Sequence, residues 1–503
     1  MERGRVERAL SFLRSPRATW WLVGGLVAVG TLIRIPQLGH GLAEAYAFRQ
    51  TQTAFVAREF AQNGIDLFHT PLPVFGPGAD VPMEFPLWQG LAALLMMAGL
   101  PADVAVRTLA LVSFQACAVL LALLVRRWHG AAAAVVSVAL LQFLPFGLLW
   151  GAASLIDFFS VALALLMVVG IDAWFREGRV GWLVAGSIGA VLGFLVKVTT
   201  VPSWGLLLVV SLVLMLRERG WPGSWRRLLA GLVGPLVGLA AALAWTAYAD
   251  RVKASDPLTG FLTSSALRDW NFGSLRQRLD ADGYLTILGR IGDEIAGPAL
   301  FGLALAVVAV ILQPRFEQRL RTLGWIAVAI SGPLVFFNLY VVHSYYLIAI
   351  YPAIVAAMAV GAVWLLRALP VRTWQRAAFA ALAATVLFAG TALTPRGHSD
   401  VSQWAIGAPR PALASLLLDQ TRPGDLVVMI GCDWDPTFLY YGERAGMMLR
   451  GPDAGDTWSH HDIRDYAVLY NCRDGALDPS VYLPAGTTVQ ATGSSGFYRL
   501  VTS

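Results

Sequence analysis

The residues of this chain best suited to chemistry stand in one short stretch, Glu44-Ala45-Tyr46-Ala47-Phe48-Arg49-Gln50-Thr51-Gln52. It offers a carboxylate, a guanidinium and two amides just after the first long apolar run. Polar groups are costly near hydrocarbon, so such a cluster is a functional-site candidate on physical grounds alone. Other polar residues stand isolated in apolar surroundings. Glu84 sits in Met83-Glu84-Phe85-Pro86-Leu87-Trp88, and Asp157 in Ser154-Leu155-Ile156-Asp157-Phe158-Phe159. Lys197, one of only two lysines, sits in Leu195-Val196-Lys197-Val198-Thr199-Thr200, and His343 opens His343-Ser344-Tyr345-Tyr346-Leu347. A carboxylate from Glu44, Glu84 or Asp157 can serve as general base toward an acceptor hydroxyl or amine. Arg49, Lys197 and His343, with Gln50, Gln52 and Tyr345 near them in sequence, can hold and stabilise a leaving phosphate.

The elements that must position these residues are membrane helices. The 503 residues are 57% hydrophobic and 14% charged, with a mean hydropathy of +0.61, which excludes a set of soluble domains. Apolar runs of about 18–22 residues recur, as in a polytopic helical membrane protein. The run Thr19 to Ile33 follows Arg3, Arg5, Arg8, Arg14 and Arg17 and continues into Arg34-Ile35-Pro36. With no small-residue cleavage site, it reads as a retained span rather than a signal peptide. The net charge of +6 does not point to nucleic acid, because the arginines occupy short loops between apolar runs, where they set topology.

Basic loops lie at 1–17, 126–127, 176–179, 217–227, 315–321 and 367–376. Placing all of them in the cytoplasm requires about eleven spans. These fall near 18–35, 103–125, 130–148, 158–175, 180–196, 199–216, 228–249, 296–313, 323–341, 345–366 and 374–393. The N-terminus is then inside and the C-terminus outside. Phe85 to Leu100 is short and flanked by Pro86 and Pro101, so it reads as an interfacial helix on the outer leaflet. Residues 37–102 become one outer-face loop, with Thr51 to Gln62 as its first interfacial helix and Arg58 and Glu59 on the solvated face. Asp157, Lys197, residues 250–295 and His343 fall on the same membrane face.

Two domains are expected: residues 1–393 in the membrane and residues 394–503 outside it. The second part has ordinary polarity. It alternates a helical segment, Ala412 to Asp419, with strand-like runs at Leu426 to Ile430, Tyr466 to Tyr470 and Phe497 to Val501. That composition suits a small α/β domain with its own core. Cys432 and Cys472 each directly follow one of these strands. If the strands are adjacent and parallel, the cysteines meet at their C-terminal ends, and an extracytoplasmic setting permits a disulfide; two free buried thiols are the alternative. Asp433-Trp434-Asp435-Pro436 reads as a turn, and His460-His461 does not make a metal site.

The polar set suits transfer of a sugar from a polyprenyl phosphate: a base for the acceptor, cations for the lipid phosphate, and a groove between spans for the tail. Such a donor needs no nucleotide fold, and the chain has no P-loop, dinucleotide fingerprint or His/Cys metal spacing. No cofactor is required by any motif, although three outer-face carboxylates could take a divalent cation.

Phe48-Arg49-Gln50-Thr51-Gln52-Thr53-Ala54, Glu84-Phe85-Pro86-Leu87-Trp88-Gln89 and His343-Ser344-Tyr345-Tyr346-Leu347 resemble a bacterial family 39 branch of the GT-C glycosyltransferases. That superfamily holds protein O-mannosyltransferases and lipid A aminoarabinose transferases. The resemblance covers roughly residues 15–370 and implies a GT-C fold in the inner membrane. It implies inverting transfer of a sugar to an extracytoplasmic glycolipid, polysaccharide or protein. It also implies that Glu44 matches the catalytic acid of the first outer loop, usually Asp, and that Glu84 is similar to a second loop acid. Asp157 matches an acid at a span end, and Lys197 resembles a lysine that contacts the donor phosphate. Two other functions fit a lipid-linked sugar: a flippase or transporter, and a polysaccharide ligase. A flippase would place charges through the bilayer centre and show repeat symmetry; here the charges gather on one face.

Overall fold

The computed structural model describes residues 16–370, 372–452 and 454–502. Arg3, Arg5, Arg8 and Arg14, read above as part of a cytoplasmic loop, lie outside the described residues. The chain folds as two compact units, each assembled from three stretches. One takes in the chain up to Gly39, Arg107–Leu243 and Arg268–Ile406; the other takes in His40–Val106, Ala244–Leu267 and the chain from Gly407 onward. This division differs from a cut at residue 393. The segment His40–Val106 folds with the C-terminal strands because its apolar residues find their core there.

The first unit is helical. Among the described residues, six helices are long and apolar enough to cross a membrane, or seven if one bent pair counts as a single span. Helices occur at all of the predicted span positions, but several are short, including Ala131–Phe143, Val180–Val196 and Phe301–Leu312. Two predicted spans run together in one helical stretch, Val201–Ala254, broken at Gly220, where φ is 68°. At 1.5 Å per residue a straight helix of that length would be about 80 Å long, far beyond a bilayer. The break at Gly220 lets it be two.

The helical hairpin Asp157–Glu177 and Val180–Val196 carries Asp157 and Lys197 at its open end. Gly178, at φ 72°, ends the first helix, and Arg179 leads into the second. Small residues form the seam. A Cβ on Gly170 would lie 2.5 Å from the Gly186 nitrogen, and one on Gly189 would lie 2.6 Å from the Met167 nitrogen. Only glycine permits so close an approach, the usual device for packing helices in lipid.

In the second unit, helix Ala47–Asn63 is buried along most of its length, from Gln50 to Phe60, rather than lying half-solvated. A second short helix, Leu87–Met97, packs against it. The strands are β1 Leu426–Ile430, β2 Gly446–Leu449, β3 Tyr466–Asn471, β4 Thr487–Ala491 and β5 Phe497–Thr502. They form one sheet in the order β2-β1-β3-β5-β4. β1 is parallel to both β2 and β3, whereas β5 pairs antiparallel with β3 and β4. The buried runs Val427–Ile430 and Gly446–Leu449 show the continuous apolarity of strands covered on both faces. Because β1 and β3 run side by side in the same direction, Cys432 and Cys472 leave the sheet together. They form a disulfide with Cα atoms 5.2 Å apart.

Candidate functional site

In the first unit, Asp157 begins its helix and Lys197 directly follows the end of the partner helix. An antiparallel hairpin of nearly matched helices brings these two ends together. Lys197 Nζ donates to Asp157 Oδ1 at 2.6 Å, and both side chains are almost fully buried. Each charge also sits at the favourable end of its helix dipole. The other Asp157 oxygen, Oδ2, is buried without a hydrogen-bond partner among the described residues.

The ammonium group lies over two tyrosine rings, 4.9 Å from the Tyr346 centroid and 5.7 Å from that of Tyr345. Those rings stack on each other at 4.5 Å, and His343 stacks on Tyr345 at 5.4 Å. The His343-Ser344-Tyr345-Tyr346 segment forms a 3-10 turn between helices, which stacks its rings as a shelf beside Lys197. Sequence reasoning missed two neighbours of this shelf. Trp270 meets the His343 ring edge-on at 5.8 Å, and Arg290 donates to the Tyr340 carbonyl at 2.8 Å. Neither stands in a recognisable motif, so neither carried a signal.

In the second unit, Tyr46 occupies the left-handed region (φ 53°, ψ 43°) where the chain enters helix Ala47–Asn63. A non-glycine residue there is strained, and such strain gathers at functional sites. Glu44 is buried just before this turn. One helical turn on, Arg49 pairs with Glu84 and donates to Gln52 Oε1 at 2.5 Å. Gln52 in turn reaches Met83 Sδ at 2.9 Å. The two motif segments seen in sequence therefore meet in one ion-paired network. Gln50 Nε2 turns back to the Ala45 carbonyl at 2.9 Å, bracing the loop that carries Glu44.

Helix Ala47–Asn63 is clamped from the far side by the segment after β1. Trp434 meets Phe48 at 4.4 Å, and Thr51 Oγ1 lies 3.1 Å from Thr437 Oγ1. Arg58, expected on a solvated face, is mostly buried. Its guanidinium lies between the Phe55 and Tyr440 rings, 4.5 and 4.6 Å from their centroids, and donates to the Tyr440 carbonyl at 2.8 Å. Burial lowers its pKa from the ordinary guanidinium value, an effect that Tyr440 and nearby acids partly offset. A cavity of about 680 Å³ opens here, lined by Arg58, Asp103, Tyr440, Tyr441, Glu443 and Arg444. Tyr440 donates to Asp103 at 2.5 Å. Tyr441 accepts from the Leu42 nitrogen, two residues from Glu44. Asp103, Tyr440 and Tyr441 lie outside every motif and were not foreseen.

The predicted residues therefore fall into two groups. Glu44, Arg49, Gln50, Gln52 and Glu84 belong to one unit; Asp157, Lys197, His343 and Tyr345 belong to the other. Among the described residues no group of three or more His, Cys, Asp or Glu side chains could hold a metal ion.

No family model matches the chain, and no curated protein matches it by sequence. Solved structures do match in fold. ArnT from Cupriavidus metallidurans, bound to undecaprenyl phosphate, aligns with a TM-score of 0.60 and 18% identity over 96% of this chain and 98% of its own. Its apo structure aligns with a TM-score of 0.62 at the same identity and coverage. The oligosaccharyltransferase AglB from Archaeoglobus fulgidus was solved with an inhibitory peptide and a dolichol-phosphate. It aligns with a TM-score of 0.54 and 12% identity over 91% of this chain and 70% of its own. The chain therefore shares the fold of these solved structures.

Proposed function

We propose that the protein is a multi-pass bacterial inner-membrane glycosyltransferase of about eleven spans. It moves a sugar from a polyprenyl phosphate to an extracytoplasmic acceptor with inversion. The observation that carries this reading is the fold match over nearly the whole of both chains to a structure solved with undecaprenyl phosphate. The buried pair of the first unit supports it. Lys197 stays oriented by Asp157 and offers its remaining N–H donors to a phosphate beside the tyrosine shelf. Asp157 is a positioning residue on this reading, because its charge is already committed to Lys197.

Among the carboxylates of the second unit, Glu84 is engaged by Arg49, so its role is to hold the guanidinium. Glu44, buried just before the strained turn at Tyr46, is the general base toward the acceptor on this reading. The cavity lined by Asp103, Tyr440 and Tyr441 suits the acceptor in size and polarity. It adjoins the loop of Glu44 through the bond from Leu42 to Tyr441. Inversion is a single displacement: the acceptor oxygen or nitrogen forms the new bond to the anomeric carbon, the bond to the lipid phosphate breaks, and Glu44 takes the acceptor proton.

The test is transfer by the purified protein in lipid nanodiscs, with an undecaprenyl-phosphate sugar as donor. Glu44→Gln should abolish transfer with an unchanged unfolding temperature, and undiminished transfer would sink the base assignment. The natural acceptor is sought by mass spectrometry of envelope glycans from cells lacking the gene.

A further inference from the structure

Residues 268–291 of the first unit show an arrangement that a water-facing loop would avoid. Three short helices, Arg268–Phe272, Leu275–Leu279 and Ala281–Ile291, form a strap fastened from its inner side. Arg278 donates to the carbonyls of Leu334 (2.9 Å) and Val335 (2.7 Å). Gln277 reaches Asn338 at 2.7 Å, and Asn338 donates to the Trp270 carbonyl at 2.7 Å. Gly283 sits so close to Phe337 that a Cβ would lie 2.5 Å from its ring. Ile287 and Ile291, each four residues further along, are buried on the same side.

The outer side of this well-anchored strap is apolar. Leu275 is 74% exposed, Leu279 79% and Leu285 63%, and Trp270, Phe272, Tyr284 and Leu288 are also exposed. On helix Ala281–Ile291 the polar residues Asp282, Thr286 and Arg290 recur every four residues on a separate face. The helix therefore has three stripes: one packed on protein, one exposed and apolar, one polar. An exposed apolar stripe on a rigid element marks an interaction surface.

The chain itself indicates what covers it. Helix Phe301–Leu312 follows, with Val307, Val308, Ile311 and Leu312 exposed as on a lipid-facing span. Its far end runs into Arg315, Arg319 and Arg321, the mark of a cytoplasmic end. Its near end, at Leu300, is then the outer one. There the chain turns through 83° between Ala281–Ala296 and Pro298–Leu312, with positive φ at Gly297, Ala299 and Leu300. If the span crosses the bilayer, the strap lies close to the membrane plane at the outer face, its leucine stripe continuous with the lipid-facing span.

We infer that residues 268–291 form an in-plane amphipathic anchor whose outer stripe is embedded among the acyl chains of the outer leaflet. Its polar stripe and Arg276 stay at headgroup level. This needs the chain to be a membrane protein but is independent of the transfer chemistry.

The test uses the full-length protein in phosphatidylethanolamine/phosphatidylglycerol vesicles. Cys117 is buried and Cys432 is bonded to Cys472, so a cysteine introduced as Leu279→Cys or Leu285→Cys can be labelled with a polarity-sensitive nitrobenzoxadiazole probe. Asp282→Cys serves as the control. The expected result is blue-shifted emission at 279 and 285, with strong quenching by lipids brominated on shallow acyl carbons, and neither effect at 282. Water-like, unquenched emission at 279 and 285 would overturn the proposal. So would a blue shift that vanishes when the protein is diluted in lipid, because a second copy would then be the cover. If Leu285→Cys does not fold, Leu275→Cys on the outer side of the short preceding helix reads the same environment.

Discussion

Removing one partner of the Asp157–Lys197 pair leaves the other as an uncompensated charge in an apolar interior. Both side chains are buried, so solvent cannot relieve it. Lys197→Ala or Asp157→Asn alone should cost stability, up to about 3–5 kcal/mol for the loss that strands a full charge. The double replacement Asp157→Leu/Lys197→Met should recover most of that. Chemical denaturation in detergent across the double-mutant cycle checks this. Undecaprenyl-phosphate binding should separate the two roles: the stable double variant should bind the lipid weakly, because the cation is gone although the fold is intact. Wild-type affinity in that variant would remove Lys197 from the donor site. Arg49 is a contrasting case. It is one-sixth exposed and ion-paired with Glu84, so Arg49→Lys keeps the charge but loses the planar fork that also serves Gln52.

At the level of elements, the hairpin Asp157–Glu177/Val180–Val196 is a ruler for the pair at its open end. Its seam has no room for side chains at Gly170, Gly186 and Gly189. Gly189→Val must push the helices apart against backbone atoms of Leu163 and Met167. The expected outcome is a lower unfolding temperature together with weaker lipid-phosphate binding, although residue 189 is far along the helix from Lys197. By contrast, Val184→Ala on the exposed side of the same helix should leave both unchanged. Measuring both variants by thermal unfolding and lipid binding distinguishes a packing seam from a generally sensitive helix. In the second unit, the segment from Trp434 to Tyr440 plays the matching part, pressing on Phe48, Thr51, Phe55 and Arg58 along one side of helix Ala47–Asn63.

For the molecule as a whole, the Cys432–Cys472 bond joins the ends of β1 and β3 across a separation of 40 residues. Closing a loop of that size in the unfolded chain is worth about 4 kcal/mol on a chain-entropy account. Cys432→Ser/Cys472→Ser should therefore lower the unfolding temperature of the second unit. Trp434 stands two residues from Cys432, so proteolysis should reach the segment around it sooner than in the oxidised protein. Limited proteolysis with and without reductant follows this directly. Equal cleavage rates would mean that the sheet holds the segment unaided.

Much of this protein was legible in one dimension. Hydropathy located its helices, because a bilayer demands long apolar runs whatever the partners. The arginine-rich loops give those helices an expected sidedness. The spacing of the cysteines behind two strand-like runs made a disulfide one of two readings, and the parallel pairing of β1 with β3 decided for it. Glu44, Arg49, Glu84, Asp157, Lys197 and His343 stood out because isolated charge in an apolar chain needs a reason. What the sequence could not supply is pairing over long separations. That Lys197 spends its charge on Asp157, that Arg49 is held by Glu84, and that Arg58 is sandwiched against Tyr440 depend on which faces pack together. So does the joining of the segment His40–Val106 to the strands some 400 residues later. Periodicity and local composition report an element's own faces, whereas partners are chosen by the shape and charge of surfaces that exist only once the chain has folded.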